Sequence, residues 1–301
     1  MTHRMQEIDA HFNHHGLLKI QQVPHLRPAV FRLARLGRIV RVLPGIYATA
    51  DTAGQPRTRM AALVLKDPDV VFTGMSAAGL LWDAALLPDT VEAAGRLRCS
   101  APGFTVRPRR IKDDWIAEVD GGVRVTNPAL TAIDLIPTEG GRFIDHLFRE
   151  APRRGADVLD LLWAALHAHP RRSGNQARIE LLRQSRALPW SEAERLAHEQ
   201  LRTAGITGWL TNHPISMTGA THRGDLVFPA LRLVVELDGF EFHSSRAAFE
   251  KDRAIQNALV LAGWHVLRFT WPVIENGSWL ADLRSFIDHH PNREAVLRDA
   301  P

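Results

Sequence analysis

The sequence predicts a mixed α/β chain. An α-β-β-β-α-β core fills its C-terminal third, a helical unit ending in a hairpin opens it, and a mixed, then helical, stretch lies between. Three observations predict this. Residues 225–228 and 231–237 are two apolar runs split by Pro229 and Ala230, the signature of a β-hairpin. A long helix-like stretch at 246–262 is followed by a short apolar run at 265–270, so helix and strand alternate again. At the other end, residues 38–42 and 46–48 form two short runs around Leu43-Pro44-Gly45, after some 35 residues of helical spacing.

In chain order, residues 4–12 and 17–23 are expected to be two helices, with Pro24 as a break. Pro28 suits the first turn of a third helix and Gly37 its end. Val30, Leu33, Ala34 and Leu36 supply an apolar side of that helix. Arg27, Arg32, Arg35, Arg38 and Arg41 supply a basic one, with no acidic residue from Pro24 to Tyr47. Three helices and a hairpin are the order of a winged helix-turn-helix, in which the second helix of the pair enters the major groove. The five arginines are therefore the expected DNA-binding residues, acting mainly on phosphates. A solvated basic face on a small helical cap is the alternative.

The middle reads as a helix ending at 61–66, a strand at 70–72, a helix starting at Thr73-Gly74, and short strands within 91–100, 105–107 and 123–125. Arg96, Arg98, Arg107, Arg109, Arg110 and Lys112 make this sheet region basic, either to extend a DNA-facing surface or to guard strand edges against pairing. Ser76 has no general base at an identifiable spacing, and Asp134 reads as a helix-packing residue. Residues 143–148 and 158–166 are helix-spaced, 170–175 is a polar break and 177–186 a short helix. Leu188-Pro189-Trp190 marks the last boundary, giving expected domains of 1–50, 51–187 and 188–301.

In the last domain Ser191 and Glu194 fit a capping box. Strands are expected at 209–215, 221–228 and 231–237, a helix at 246–262, a strand at 265–270 and a closing helix at 279–289. Strand alternation puts Glu236 and Asp238 on one face and Val235 and Leu237 on the other. A turn near Pro229 brings Asp225 beside them. Like charges this close repel, and burying them is costly unless something positive neutralises them. A divalent cation, Mg²⁺ or Mn²⁺, held by Asp225, Glu236 and Asp238 is the economical explanation. His243 lies just past the strand end with a pKa suited to proton transfer. Asp252 and Arg253 face back from the long helix, and Arg268 lies in the last strand. His222 and His265 read as ordinary strand residues.

The order Asp225, Glu236-x-Asp238-Gly239, His243, Asp252-Arg253 and Gly263-Trp264-x-Val266-Leu267-Arg268 resembles the very-short-patch-repair (Vsr) endonuclease-like group of the restriction-endonuclease-like, PD-(D/E)XK superfamily, over roughly residues 190–290. The resemblance implies that Asp225 and Glu236 bind a divalent metal, that His243 transfers a proton nearby, and that Glu194 of the first helix lends a further carboxylate. Asp238 stands where the superfamily usually has Lys, which the Vsr-like branch also lacks. Leu33-x-x-Leu36-Gly37-Arg38-x-x-Arg41-x-x-Pro44-Gly45-x-Tyr47, followed by Thr73-Gly74-x-Ser76-Ala77-Ala78 and 123–134, resembles AbiEi-type antitoxins, transcriptional regulators of type IV toxin–antitoxin systems. That match rests on small-residue patterns that pack a fold.

Composition agrees. The 301 residues allow two or three domains, with 45% hydrophobic and 23% charged residues arguing against disorder. Net charge is +4, carried mostly by Arg, whose planar fork suits phosphate. Cys99 is the only cysteine, so neither an internal disulfide nor a thiolate metal site is expected. No membrane-length run or secretory h-region is read, so a cytoplasmic, membrane-free protein is expected. The first expected function is a metal-dependent DNA endonuclease in repair or phage defence. The alternative is a non-enzymatic DNA-binding regulator with a degenerate nuclease fold. A homodimer and a cognate toxin stay open as partners.

Overall fold

The computed structural model describes residues 3–96, 101–170, 172–217, 220–238 and 246–297. The chain is mixed α/β and divides into two compact units, Met1–Leu135 and Ile136–Pro301. The first takes in both the 1–50 segment and the sheet region after it. The second joins the helical stretch 141–186 to the last expected domain.

The first unit opens with α1 (His3–His15), β1 (Leu17–Lys19), α2 (Arg27–Arg35) and the hairpin β2 (Ile39–Leu43) and β3 (Ile46–Thr49). Residues 17–23 do not form the expected helix. Leu17 and Leu18 pair with Ala48 and Tyr47, so β1 joins β3 in a sheet of order β1-β3-β2, and a 3-10 turn at Pro24–Leu26 leads into α2. The reason is burial on two sides. Leu17 packs with Met60 and Phe72, whereas its neighbour Leu18 packs with Ile8, Leu26 and Val30. Consecutive residues bury in opposite directions on a strand and cannot do so on a helix. At the end of α2, Gly37 takes a left-handed φ of 69° and the Arg38 N–H reaches back to the Leu33 carbonyl at 3.1 Å, a glycine-closed helix end.

The unit continues through α3 (Pro56–Lys66), β4 (Val71–Phe72), α4 (Gly74–Leu81), β5 (Val91–Gly95), β6 (Phe104–Pro108), β7 (Ile116–Val119), β8 (Val123–Thr126) and α5 (Pro128–Glu139), which runs across the division. The five strands order β6-β5-β4-β8-β7. The Ser76 hydroxyl is buried and accepts the Glu92 N–H at 2.9 Å, and Asp134 is paired with Arg109, so both act in packing. Arg98 and Cys99 lie outside the described residues.

The second unit comprises α6 (Arg142–Glu150), α7 (Gly155–His167), α8 (Asn175–Gln184), α9 (Glu192–Thr203), β9 (Leu210–Met217), β10 (Ala220–Phe228), β11 (Leu233–Asp238), α10 (Arg246–Leu261), β12 (His265–Thr270), α11 (Trp271–Glu275) and α12 (Trp279–Asp288). Its sheet runs β12-β11-β10-β9, antiparallel except for the parallel pair β11–β12 that α10 connects. One face buries Leu226, Phe228, Val235 and Leu237 against Ala193 and Ala197 of α9 and Trp279 of α12. The other buries Ile215, Val227 and Val234 against Leu259 of α10. Among the described residues no helix is long and apolar enough to cross a membrane.

Candidate functional site

The acids meet where β10 and β11 part. Leu226 pairs with Val235, Val227 with Val234 and Phe228 with Leu233, and extending that register sets Asp225 opposite Glu236. Beyond this point the ladder is replaced by a side chain: Asp225 Oδ2 accepts the Leu237 N–H at 2.7 Å. β10 also turns over here. A Cβ on Gly224 would lie 2.7 Å from Val234 Cγ1 and 2.9 Å from Val227 Cγ2, so Gly224 and Val227 look to the same face although three positions separate them. A regular strand would place them on opposite faces. The partner strand is irregular at the same level, with Asn212 at a left-handed φ of 47°. The fork therefore holds the half-buried Asp225 carboxylate between two strands, and glycine is the residue that lets them approach.

Val235 and Leu237 lie in the α9-side core and Val234 in the α10-side core, so Glu236 looks towards α10, as strand alternation predicts. His222 joins it there, Nε2 to Glu236 Oε1 at 2.7 Å. Sequence reasoning missed this contact. Counting alternate residues from Leu226 points His222 away from Glu236, and only the turn-over at Asp225 brings it round.

Glu194 sits on the first turn of α9, buried, and takes part in the helix cap expected of it. Its N–H donates to the Ser191 hydroxyl at 3.2 Å as a helix cap, while its carboxylate accepts from the Trp190 N–H at 3.0 Å and Asn212 Nδ2 at 2.8 Å. Burial pushes its carboxyl up even so, against those hydrogen bonds and the Arg149 charge. Asp225 is raised well above the ordinary carboxylate range, by burial first and then by the charges of Glu194, Glu236 and Asp238; the Leu237 N–H works the other way.

Asp238 has a different partner. Arg268 grips both its oxygens, at 2.6 and 3.2 Å, and reaches Asp252 on α10 at 3.4 Å. Those hydrogen bonds hold the Arg268 guanidinium above its usual range. Arg253 donates to Gln256 at 3.4 Å. Gly239 and His243 lie outside the described residues. Among the described residues no group of three or more His, Cys, Asp or Glu is arranged to hold a metal ion. The donor chemistry that does fit a divalent ion is the Asp225–Glu236 pair: Mg²⁺ takes one or two carboxylates and completes its shell with water and phosphate oxygens. The crowding of acids on Asp225 is the observation that supports this fit.

In the first unit, Arg27, Arg32, Arg35, Arg38 and Arg41 are all exposed, and none has an ion-pair partner among the described residues. Val30 and Leu33 bury the opposite side of α2. Arg27 lies 5.5 Å over the ring of Phe31, itself 43% exposed, and Leu36 and Val40 are exposed beside it. By contrast, Arg124 of β8 and Arg96 and Arg109, which follow β5 and β6, are paired with Asp113, Asp69 and Asp134. The chain matches no protein-family model, no curated protein and no solved structure.

Proposed function

We propose that this chain is a metal-dependent DNA endonuclease that hydrolyses phosphodiesters at the β10–β11 fork. In this reading Ile136–Pro301 carries a restriction-endonuclease-like core and Met1–Leu135 a winged-helix DNA grip. The observation that carries it is Asp225: a carboxylate placed at a strand fork, where burial and then the charges of Glu194, Glu236 and Asp238 raise it well above the ordinary carboxylate range.

Asp225 and Glu236 would hold Mg²⁺ or Mn²⁺, which when bound neutralises the scissile phosphate and acidifies a water. The Leu237 N–H fixes one Asp225 oxygen, and His222 fixes the rotamer of Glu236, so both carboxylates are oriented before substrate arrives. Asn212 does the same for Glu194. Arg268 keeps Asp238 and Asp252 together beside the fork. His243 follows the strand and is the residue proposed to protonate the leaving oxygen. The helix–strand–helix–hairpin order and the β1-β3-β2 sheet support the winged-helix reading of the first unit, with the exposed α2 arginines on phosphates.

The test is cleavage of plasmid and single-stranded DNA with Mg²⁺ or Mn²⁺, beside Asp225→Ala and Glu236→Ala. Each variant is expected to lose about 100-fold or more in rate. Equal cleavage by all three proteins, insensitive to chelator, would sink the enzyme reading. One observation favours a second reading, a DNA-binding regulator that has lost hydrolysis. The position usually given to a water-orienting Lys is Asp238, and Arg268 neutralises it. Salt-dependent duplex binding with no cleavage under any metal would select that reading.

A further inference from the structure

Within Met1–Leu135 a cavity of about 710 Å³ is bounded by α1 and β1 on one side and by α3, α4 and the β7–β8 pair on the other. Its walls are apolar: Met60, Val64, Phe72, Leu80, Val119 and Val123. Its polar lining residues are His11, Gln22, Arg57, Asp83 and Asp120, of which Arg57, Asp83 and Asp120 carry full charges and are exposed. The volume is that of a small-molecule site, and the mix of apolar walls with a few convergent polar groups is the usual composition of one.

We propose that this cavity binds a lipophilic organic monocation, a hydrocarbon or aromatic body carrying one positive charge. The charge balance argues for a cation. Two carboxylates stand against one guanidinium in the lining, so with His11 neutral its net charge is negative although the protein as a whole is positive. Arg57 and Asp120 have no ion-pair partner among the described residues, and Asp83 spends only Oδ1, on the Ala85 N–H at 2.9 Å. A lone, outnumbered arginine is a poor anion receptor. Burial of a hydrocarbon body against the walls supplies the main attraction, and the two acids select the sign of the charge. The site is also connected to the arginine face. His11 of α1 and Leu17 of β1 form part of the lining, and Ile8 and Leu18 of the same two elements pack on Val30 of α2.

Titration calorimetry of the full chain with tetraphenylphosphonium, and with tetraphenylborate as an anion of the same shape, tests the proposal. Saturable one-to-one binding of the phosphonium, tighter than the borate, is expected. Asp120→Asn should weaken it about threefold and Arg57→Gln should tighten it by a similar factor, because each changes one partly screened charge of the lining. Both side chains are exposed, so neither change touches the core. Val64→Trp, which fills the cavity, should abolish binding while the protein still unfolds cooperatively. Borate binding as tight as phosphonium, charge variants that leave the affinity unchanged, or full binding by a cooperatively folded Val64→Trp protein would each overturn it.

Discussion

In the proposed nuclease His222 acts through the residue it touches, Glu236. A side chain that orients a metal-binding carboxylate typically matters about 10–100-fold for metal affinity or activity. His222→Ala is therefore expected to lower cleavage by that factor and raise the metal concentration needed for half-maximal rate, with an unchanged melting temperature. A rate loss that excess Mn²⁺ does not relieve would assign His222 elsewhere. His198 shows a different residue-scale effect. It is fully buried in α9, neither ring nitrogen meets a hydrogen-bond partner among the described residues, and the ring stacks on Trp209 at 5.0 Å. Burial, then the charges of Arg202 and Arg195, depress its pKa from 6.5 to about 3. A group held neutral in the fold takes its proton more readily when unfolded, so its contribution is complete above the unfolded value. It is lost as pH falls from 6.5 towards 3. His198→Phe should flatten the acid limb of a melting-temperature profile over that window, by up to a few kcal/mol. An unaltered acid limb would mean that other groups drive acid unfolding.

At the scale of elements, α2 and β1 work as a pair: one presents charge and the other holds it in place. Replacing Arg32, Arg35 and Arg38 together with Ala should reduce the slope of log affinity against log salt for duplex DNA by about 2–3, since each lost phosphate contact removes about 0.9. Full retention on duplex DNA at all salt concentrations would remove the winged-helix proposal. Leu18 is 1% exposed and shares an apolar cluster with Ile8 and Val30. Leu18→Ala is expected to cost about 2–5 kcal/mol, seen in denaturant unfolding, by leaving a cavity beneath α2. In the second unit the turn-over of β10 depends on a missing side chain. Gly224→Ala would drive a methyl into Val234 and Val227, at a cost of about 1–3 kcal/mol from overpacking. The same change should impair cleavage, because the carboxylate next to it moves with the strand.

For the whole molecule, each unit has cores of its own. The two apolar clusters around the β9–β12 sheet draw only on residues from Ala193 onwards. A fragment spanning 136–301 is thus expected to unfold cooperatively and, under the proposed function, to keep metal-dependent cleavage while losing the salt-sensitive DNA affinity proposed for the α2 face. A fragment that melts without a transition would show that the second unit cannot stand alone.

Much of this was written locally in the chain. The apolar runs around Pro229, the helix between Arg246 and Leu261 and the strand from His265 follow from periodicity and breakers, and Ser191 announces the start of α9. Glu236 and Val235 face opposite ways because any strand alternates. Short segments were less legible. Leu17-Leu18-Lys19 reads as part of a helix, and the strand it forms is set by Ala48 and Tyr47, some thirty positions away. β7, four residues between two 3-10 turns, is too short to announce itself. What only the tertiary structure decided is the company each charge keeps: His222 with Glu236, Arg268 with Asp238, Asn212 with Glu194. Those pairings depend on strand register and on one turn-over at Asp225. Register is a property of two segments brought together, and no single segment contains it.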